Sequence, residues 1–302
     1  MSVLDPTPER IDPLVGPPAA TPEESEQVLR RRYVLRSLRR SPTFLVGAGV
    51  LAFWIFMALF STHVTRYGPL AIDPLHAFKP PSAAHWFGTD EDGRDVLSRT
   101  LAGARTVLVI APLVALICLL IGGAVGLTSA YLGGVWDELI MRLVDVVLCL
   151  PVIIAAIVVV AALGHSVPVI IAVIAVLFSA PVARTIHAAA VSEREREYVQ
   201  AARLRGEPAA YIMAAEILPN MLSPAIVEFT VRLGYAVFTA AGLAFLGFGV
   251  QQPSPDWGLT ISLDAANIQI AWWTVLFPAL ALASLVVGAN LLADGVRKAL
   301  AE

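Results

Sequence analysis

Few residues in this chain have the type and spacing to do chemistry. Glu228 and Arg232 stand four apart inside the apolar run Pro224 to Val250. On a helix that spacing puts both on one face, where opposite charges pair. A charge at mid-bilayer costs about 2.5–3.5 kcal/mol even on the milder insertion scale, so the pair must face protein or water. A structural ion pair and a contact for a passing solute both fit, and the structural pair is the favoured reading. "GTDEDGRD", Gly88 to Asp95, is the second polar cluster. An EF-hand loop places its glycine sixth from the first aspartate, whereas Gly93 is fourth. The segment reads instead as an Asp-Gly turn before a capped helix, built from Gly88, Thr89, Asp90, Gly93, Arg94 and Asp95.

Other chemistries lack their residues. His63, His76, His85, His165 and His187 are scattered and form no metal constellation, so no metal site is expected. There is no H-E-x-x-H and no His-Asp-Ser set within the apolar runs, so no catalytic residue is assigned. A P-loop requires G-x-x-x-x-G-K-[ST], yet Lys79 follows Phe78 and Lys298 follows Arg297. The chain is not an ATPase by that route. Cys118 and Cys149 both fall in apolar runs and read as small buried hydrophobes.

The elements that must position these residues are membrane spans. Of 302 residues, 57% are hydrophobic and only 15% charged, against about a quarter charged in soluble domains. The apolar residues cluster in six runs: Phe44 to Phe60, Val107 to Tyr131, Leu143 to Leu163, Val167 to Val182, Pro224 to Val250 and Trp273 to Leu292. Most approach the roughly 20 residues that cross about 30 Å of hydrocarbon. Thr185 to Val191 can extend the short fourth one. An all-α polytopic membrane protein with six transmembrane helices follows. With the N-terminus inside, the inner segments hold 15 Lys and Arg and the outer ones 5, Arg232 lying within a span. The positive-inside rule then gives an N-in, C-in orientation, both termini cytoplasmic.

Three regions result. Residues 1–43 read as a mostly disordered cytoplasmic tail ending in the basic cluster Arg30, Arg31, Arg32, Arg36, Arg39 and Arg40, with no cleavable signal peptide. Residues 44–105 hold the first span and a long outer loop. Residues 106–302 hold five spans and an inner loop, 183–223. Gly122 and Gly126 form a G-x-x-x-G that permits close helix approach, while Pro151, Gly242, Gly247 and Gly249 mark kink points that serve either packing or gating.

The inner loop carries "EYVQAARLRG", Glu197 to Gly206. Val191 to Arg205 lacks proline and glycine and is rich in helix formers, so one helix is expected there, stopped by Gly206. A second short helix opens at Pro208 and ends before Pro219. Tyr198, Ala201, Ala202 and Arg205 are spaced i, i+3, i+4, i+7 and share a face small enough for another backbone to approach. Glu193 to Glu197 reads equally as a plain solvated face.

"QAARLRGEPAAYIMAAEILPN" resembles the EAA-type loop of ABC-importer permeases, with Ala201, Ala202, Gly206, Leu218 and Pro219 matching at the family's spacing. Gln200 replaces the usual glutamate, and Glu216 stands where an apolar residue is usual. "HWFGTDEDGRDVLSRTLAGARTVL" and "GLAFLGFGVQQPSPDWG" resemble signatures of the dipeptide/oligopeptide (peptide/nickel) branch. The resemblance spans most of residues 40 to 300. It implies the type I ABC importer permease fold in a bacterial plasma (inner) membrane. It also implies a non-catalytic subunit that forms half of a translocation pathway for di- or oligopeptides. Tyr198, Gln200, Ala201, Ala202, Arg205, Gly206, Leu218 and Pro219 would couple it to a separate ATPase. The implied partners are a second, generally different, permease chain, two ABC ATPase subunits and an extracytoplasmic substrate-binding protein that meets the Gly88 to Asp95 surface. No cofactor is implied in this chain; ATP and Mg would sit on the ATPases. Nickel complexes or another small solute are the alternative cargo. A secondary transporter is a remoter alternative, since it would need inverted repeats and intramembrane relays beyond Glu228 and Arg232.

Overall fold

The computed structural model describes residues 36–301. The tail residues 1–35, with Arg30, Arg31 and Arg32, lie outside them. Residues 36–40 are helical, so the end of the expected unstructured tail is already ordered. Among the described residues all regular structure is helical, apart from an isolated bridge between Thr89 and Asp95.

Five helices are long and apolar enough to cross a membrane: α1 (Pro42–Val64), α2 (Val96–Leu132), α5 (Val167–Arg194), α7 (Leu222–Phe245) and α9 (Trp272–Ala301). Ser41 starts α1 by accepting from the Phe44 N–H ahead of Pro42, as cap and first-turn chemistry require. The expected third span, Leu143 to Leu163, is not one helix. It is split into α3 (Gly134–Leu148) and α4 (Val152–Leu163), bent by 87°. Pro151 disfavours helical geometry at Leu150, so the chain turns where a straight span was expected. Counting the bent pair as one span brings the total to six. Cys118 is buried as expected, whereas Cys149, at this break, is exposed.

The core is centred on α2 and α5. A Cβ on Gly122 would lie 2.4 Å from the Ser179 carbonyl oxygen, and one on Gly126 2.5 Å from that of Ala183. The G-x-x-x-G of α2 thus brings the two backbones into contact, the geometry that small residues permit in membranes. α5 runs on past Val182 to Arg194, through Pro181. α7 ends at Phe245, short of Val250, because Gly247 enters the left-handed region (φ +84°) and Phe248 N–H bonds back to the Leu243 carbonyl at 2.8 Å. This is a Schellman ending; Gly247 stops the helix and does not kink it. Short helices complete the chain: α6 (Glu197–Leu204) on the inner loop and α8 (Trp257–Asp264) between α7 and α9.

Candidate functional site

The inner loop departs from the single helix expected over Val191 to Arg205. Val191 to Arg194 belongs to α5, and Arg196, in extended conformation, separates it from α6. The local sequence favours helix throughout, so the break is tertiary in origin. Re-aiming α6 lets Val199 and Ala202 enter the core beside Ile212, Ile217 and Met221. Gly206 closes the helix as expected. Gly206 has φ +78°, its N–H bonds the Arg203 carbonyl, and Glu207 N–H bonds that of Ala202.

Burial divides the face proposed from spacing. Ala202 is fully buried within its own chain, so it is not free to touch another protein. Tyr198 is half-buried and donates to Glu193 Oε2 at 2.7 Å. Burial first, then that carboxylate, push its phenol up to about 12. Gln200, Ala201, Arg205 and Gly206 remain exposed, and Gln200 donates to the Glu195 carbonyl. Leu204, not anticipated from the spacing, is 90% exposed at the tip. Its signal was an apolar residue flanked by Arg203 and Arg205, a pattern that a solvated face does not require.

The second helix does not stop before Pro219. Ala209–Tyr211, the π-helical Ile212–Ile217 and Leu218–Asn220 follow without interruption. Proline supplies no N–H and its ring crowds the carbonyl four residues back; widening to i→i+5 bonding lets the helix pass it, and such bulges are frequent at functional sites. Leu218 and Pro219 are exposed. Glu216 accepts from Arg205 Nη2 at 3.2 Å, which ties the two halves of the loop together. α6 is also anchored to the spans. The Arg203 guanidinium lies 5.0 Å from the Tyr131 ring centre of α2, and just before α6 the last residue of α5, Arg194, donates from Nη1 to the Ala130 carbonyl of α2 at 2.6 Å.

At the opposite end of the bundle, the Gly88 to Asp95 segment forms a built polar cluster. Asp90 is its hub: Oδ1 accepts from the N–H of Asp92 and Arg94, and Oδ2 accepts from Arg94 Nε at 2.7 Å. Gly93 has φ +73°, and a Cβ there would run into the Asp73 carbonyl; Gly88 is likewise left-handed and packed on Trp273. Asp95 caps α2 by accepting from the Ser98 N–H and hydroxyl, and its other oxygen is 3.0 Å from His85 Nδ1. Thr89 accepts the Lys79 N–H on its hydroxyl and the Trp273 indole N–H on its carbonyl. The turn is therefore a structural keystone, and among the described residues no group of three or more ligands could hold a metal ion.

Sequence reasoning missed what the turn leans on. Arg99, 2% exposed, lies 3.5 Å from Asp90 and 3.4 Å from Thr260 Oγ1 of α8. Its Nε is the one buried side-chain polar atom without a hydrogen bond among the described residues. Asp256 caps α8 through the Leu259 N–H, and Trp257 donates to the Thr100 carbonyl at 2.7 Å. Asp264, also on α8, is 3% exposed; burial, then Asp90 and Glu91, raise its carboxyl to about 6 against the pull of Arg99 and Arg94. The cap was legible as an aspartate before "WGLT"; nothing local marks Asp264 or Arg99.

Glu228 and Arg232 pair on α7, with Arg232 Nε and Nη2 each 3.0 Å from Glu228 Oε2. Both are largely buried within the bundle.

A bundle of five to six helices long and apolar enough to cross a membrane, with a short helix exposed at one end and a rigid polar turn at the other, is that of a multi-pass membrane protein. Residues 119–302 match the binding-protein-dependent transport system inner membrane component, and residues 30–81 match the N-terminal transmembrane domain of oligopeptide transport permease C. The chain is 36% identical over 295 residues, 97% of each chain, to the dipeptide transport system permease protein DppC of Alkalihalophilus pseudofirmus. It is 36% identical to the probable D,D-dipeptide transport system permease protein DdpC of Escherichia coli K12, covering 86% of this chain and 87% of that one. It is 36% identical, over 88% of each chain, to the glutathione transport system permease protein GsiD of Escherichia coli O6:K15:H31. The chain belongs to the family of inner membrane components of binding-protein-dependent transport systems.

Proposed function

We propose that this chain is the transmembrane subunit of an ATP-driven importer of di- or oligopeptides, contributing half of the translocation pathway. The relatives named for dipeptide and glutathione transport support peptides as cargo. The observation that carries the coupling role is α6: a helix closed on its own chain through Val199 and Ala202, presenting Leu204 outward between two arginines. Such an apolar tip with a basic rim suits a groove on a separate nucleotide-binding subunit, since interface anchors are apolar groups ringed by polar ones. Closure of an ATPase pair would pull on α6. Arg203 ties it to α2, and Tyr198, through Glu193, ties it to α5, so the pull would reach the packed centre of the bundle.

In this reading the chain is not itself an enzyme, and ATP and Mg bind the partners. It sits in the inner membrane with both termini cytoplasmic. A second permease chain completes the pathway, and the Gly88 to Asp95 turn faces a substrate-binding protein. The test is reconstitution. With its ATPases, permease partner and binding protein in liposomes, the complex is expected to take up dipeptide only when ATP is enclosed with the ATPase side. Uptake by this chain alone, or uptake indifferent to ATP, would sink the proposal.

A further inference from the structure

The ion pair of α7 does not explain the residue one turn above it. Tyr235 is 55% exposed and its hydroxyl has no hydrogen-bond partner among the described residues. Its ring sits 6.4 Å from that of Phe178, edge to face, and 5.7 Å from the Arg232 guanidinium carbon. At 1.5 Å per residue, Arg232 and Tyr235 stand about 15 and 20 Å along α7 from Leu222, the middle of a hydrocarbon layer about 30 Å thick. A hydroxyl facing lipid tails at that depth would be unsatisfied, at a cost of several kcal/mol. The Arg232–Tyr235 edge of α7 must therefore front something polar.

What it would hold follows from the donors. Glu228 engages Nε and Nη2 of Arg232, which leaves Nη1 of the guanidinium and, on the ring 5.7 Å from the guanidinium carbon, the Tyr235 O–H as the remaining donors of this edge. Both donate, so they suit an acceptor with lone pairs: a carboxylate or a peptide carbonyl oxygen. Glu228 also neutralises the local charge, so an anionic group is met without being trapped, as passage through a pore requires. We propose that Arg232 and Tyr235 form a donor pair on the translocation path that contacts the carboxylate or carbonyl oxygens of a peptide in transit. This rests on the peptide-importer reading above.

The test uses the whole reconstituted complex. In a Cys149→Ala background, where the remaining Cys118 is buried, Tyr235→Cys is compared with Leu120→Cys, an exposed apolar position of α2. A charged, water-borne thiol reagent is expected to label position 235 at least tenfold faster than 120, and dipeptide with ATP to slow that labelling severalfold. Labelling at 235 no faster than at 120, at rest and during turnover, overturns the proposal, whether lipid or a second chain covers the tyrosine. Tyr235→Phe keeps the ring and removes the donor. Its maximal uptake rate is expected to fall severalfold while half-saturation, set at the binding protein, holds. Unchanged uptake by Tyr235→Phe likewise overturns it. Absence of dipeptide uptake by the parent complex would instead count against the importer reading itself.

Discussion

Two side chains show how burial redirects a residue's role. Leu204 is 90% exposed, so replacing it tests contact with a partner without disturbing the fold. Leu204→Asp is expected to change stability by no more than about 0.5 kcal/mol. It should lower ATP-driven uptake roughly tenfold, the effect of losing about 1.4 kcal/mol of docking. Thermal unfolding and uptake, measured on one preparation, check both. Asp264 is the converse case, a carboxyl held in the interior with its pKa raised to about 6. The folded protein binds this proton more tightly than the unfolded chain. The contribution is therefore favourable below the unfolded value near 4 and is lost as pH rises through about 6. Asp90, Glu91, Arg99 and Arg94 are the charges that act on it. Asp264→Asn is expected to weaken the decline in stability between pH 4 and 6. The melting temperature of the detergent-solubilised protein across that range reads it directly, and buried Asp256, raised in the same direction, leaves a residual slope.

At the scale of elements, α6 depends on its ending. Gly206 sits at φ +78° with open space around an added Cβ, so alanine meets only the left-handed penalty, about 1–2 kcal/mol. Proline locks φ near −65° and abolishes the Gly206 N–H bond to Arg203. Gly206→Ala is expected to retain most uptake. Gly206→Pro should abolish it while membrane insertion and the α2–α5 packing persist. Full uptake by a stably assembled Gly206→Pro protein would refute a coupling role for the loop. The π-helical Ile212–Ile217 and the Arg205–Glu216 bond give the loop a second brace. The Glu216 that departs from the family's pattern is thus part of this chain's own way of holding α6.

For the whole molecule, the polar ends are joined through the apolar middle. The outer turn grips α2, α8 and α9 through Asp95, Arg99 and Trp273. The inner helix grips α2 through Arg203 and α5 through the Tyr198–Glu193 bond. α2 is common to both, and its glycines press it against α5, so a displacement at one end has a stiff route to the other. The orientation assigned from arginine and lysine placement makes a plain prediction. In intact cells, Leu75→Cys on the outer loop, 88% exposed, is expected to react with an impermeant thiol reagent. Leu204→Cys should react only after permeabilisation. The reverse pattern would invert the assigned topology.

The sequence by itself determined what depends on composition and short-range pattern. It set the number of apolar segments, the residues of the Asp-Gly turn, the i, i+4 ion pair, the close-packing glycines and the stop at Gly206. These follow from transfer energies, helical periodicity and backbone sterics, which act within a few residues. Only the tertiary structure decided the rest. It broke the third span at Pro151, turned α6 at Arg196 to bury Ala202 and expose Leu204, and enclosed Arg99 and Asp264 between segments more than 150 residues apart. Packing partners distant in the chain set those choices, and no local window contains them.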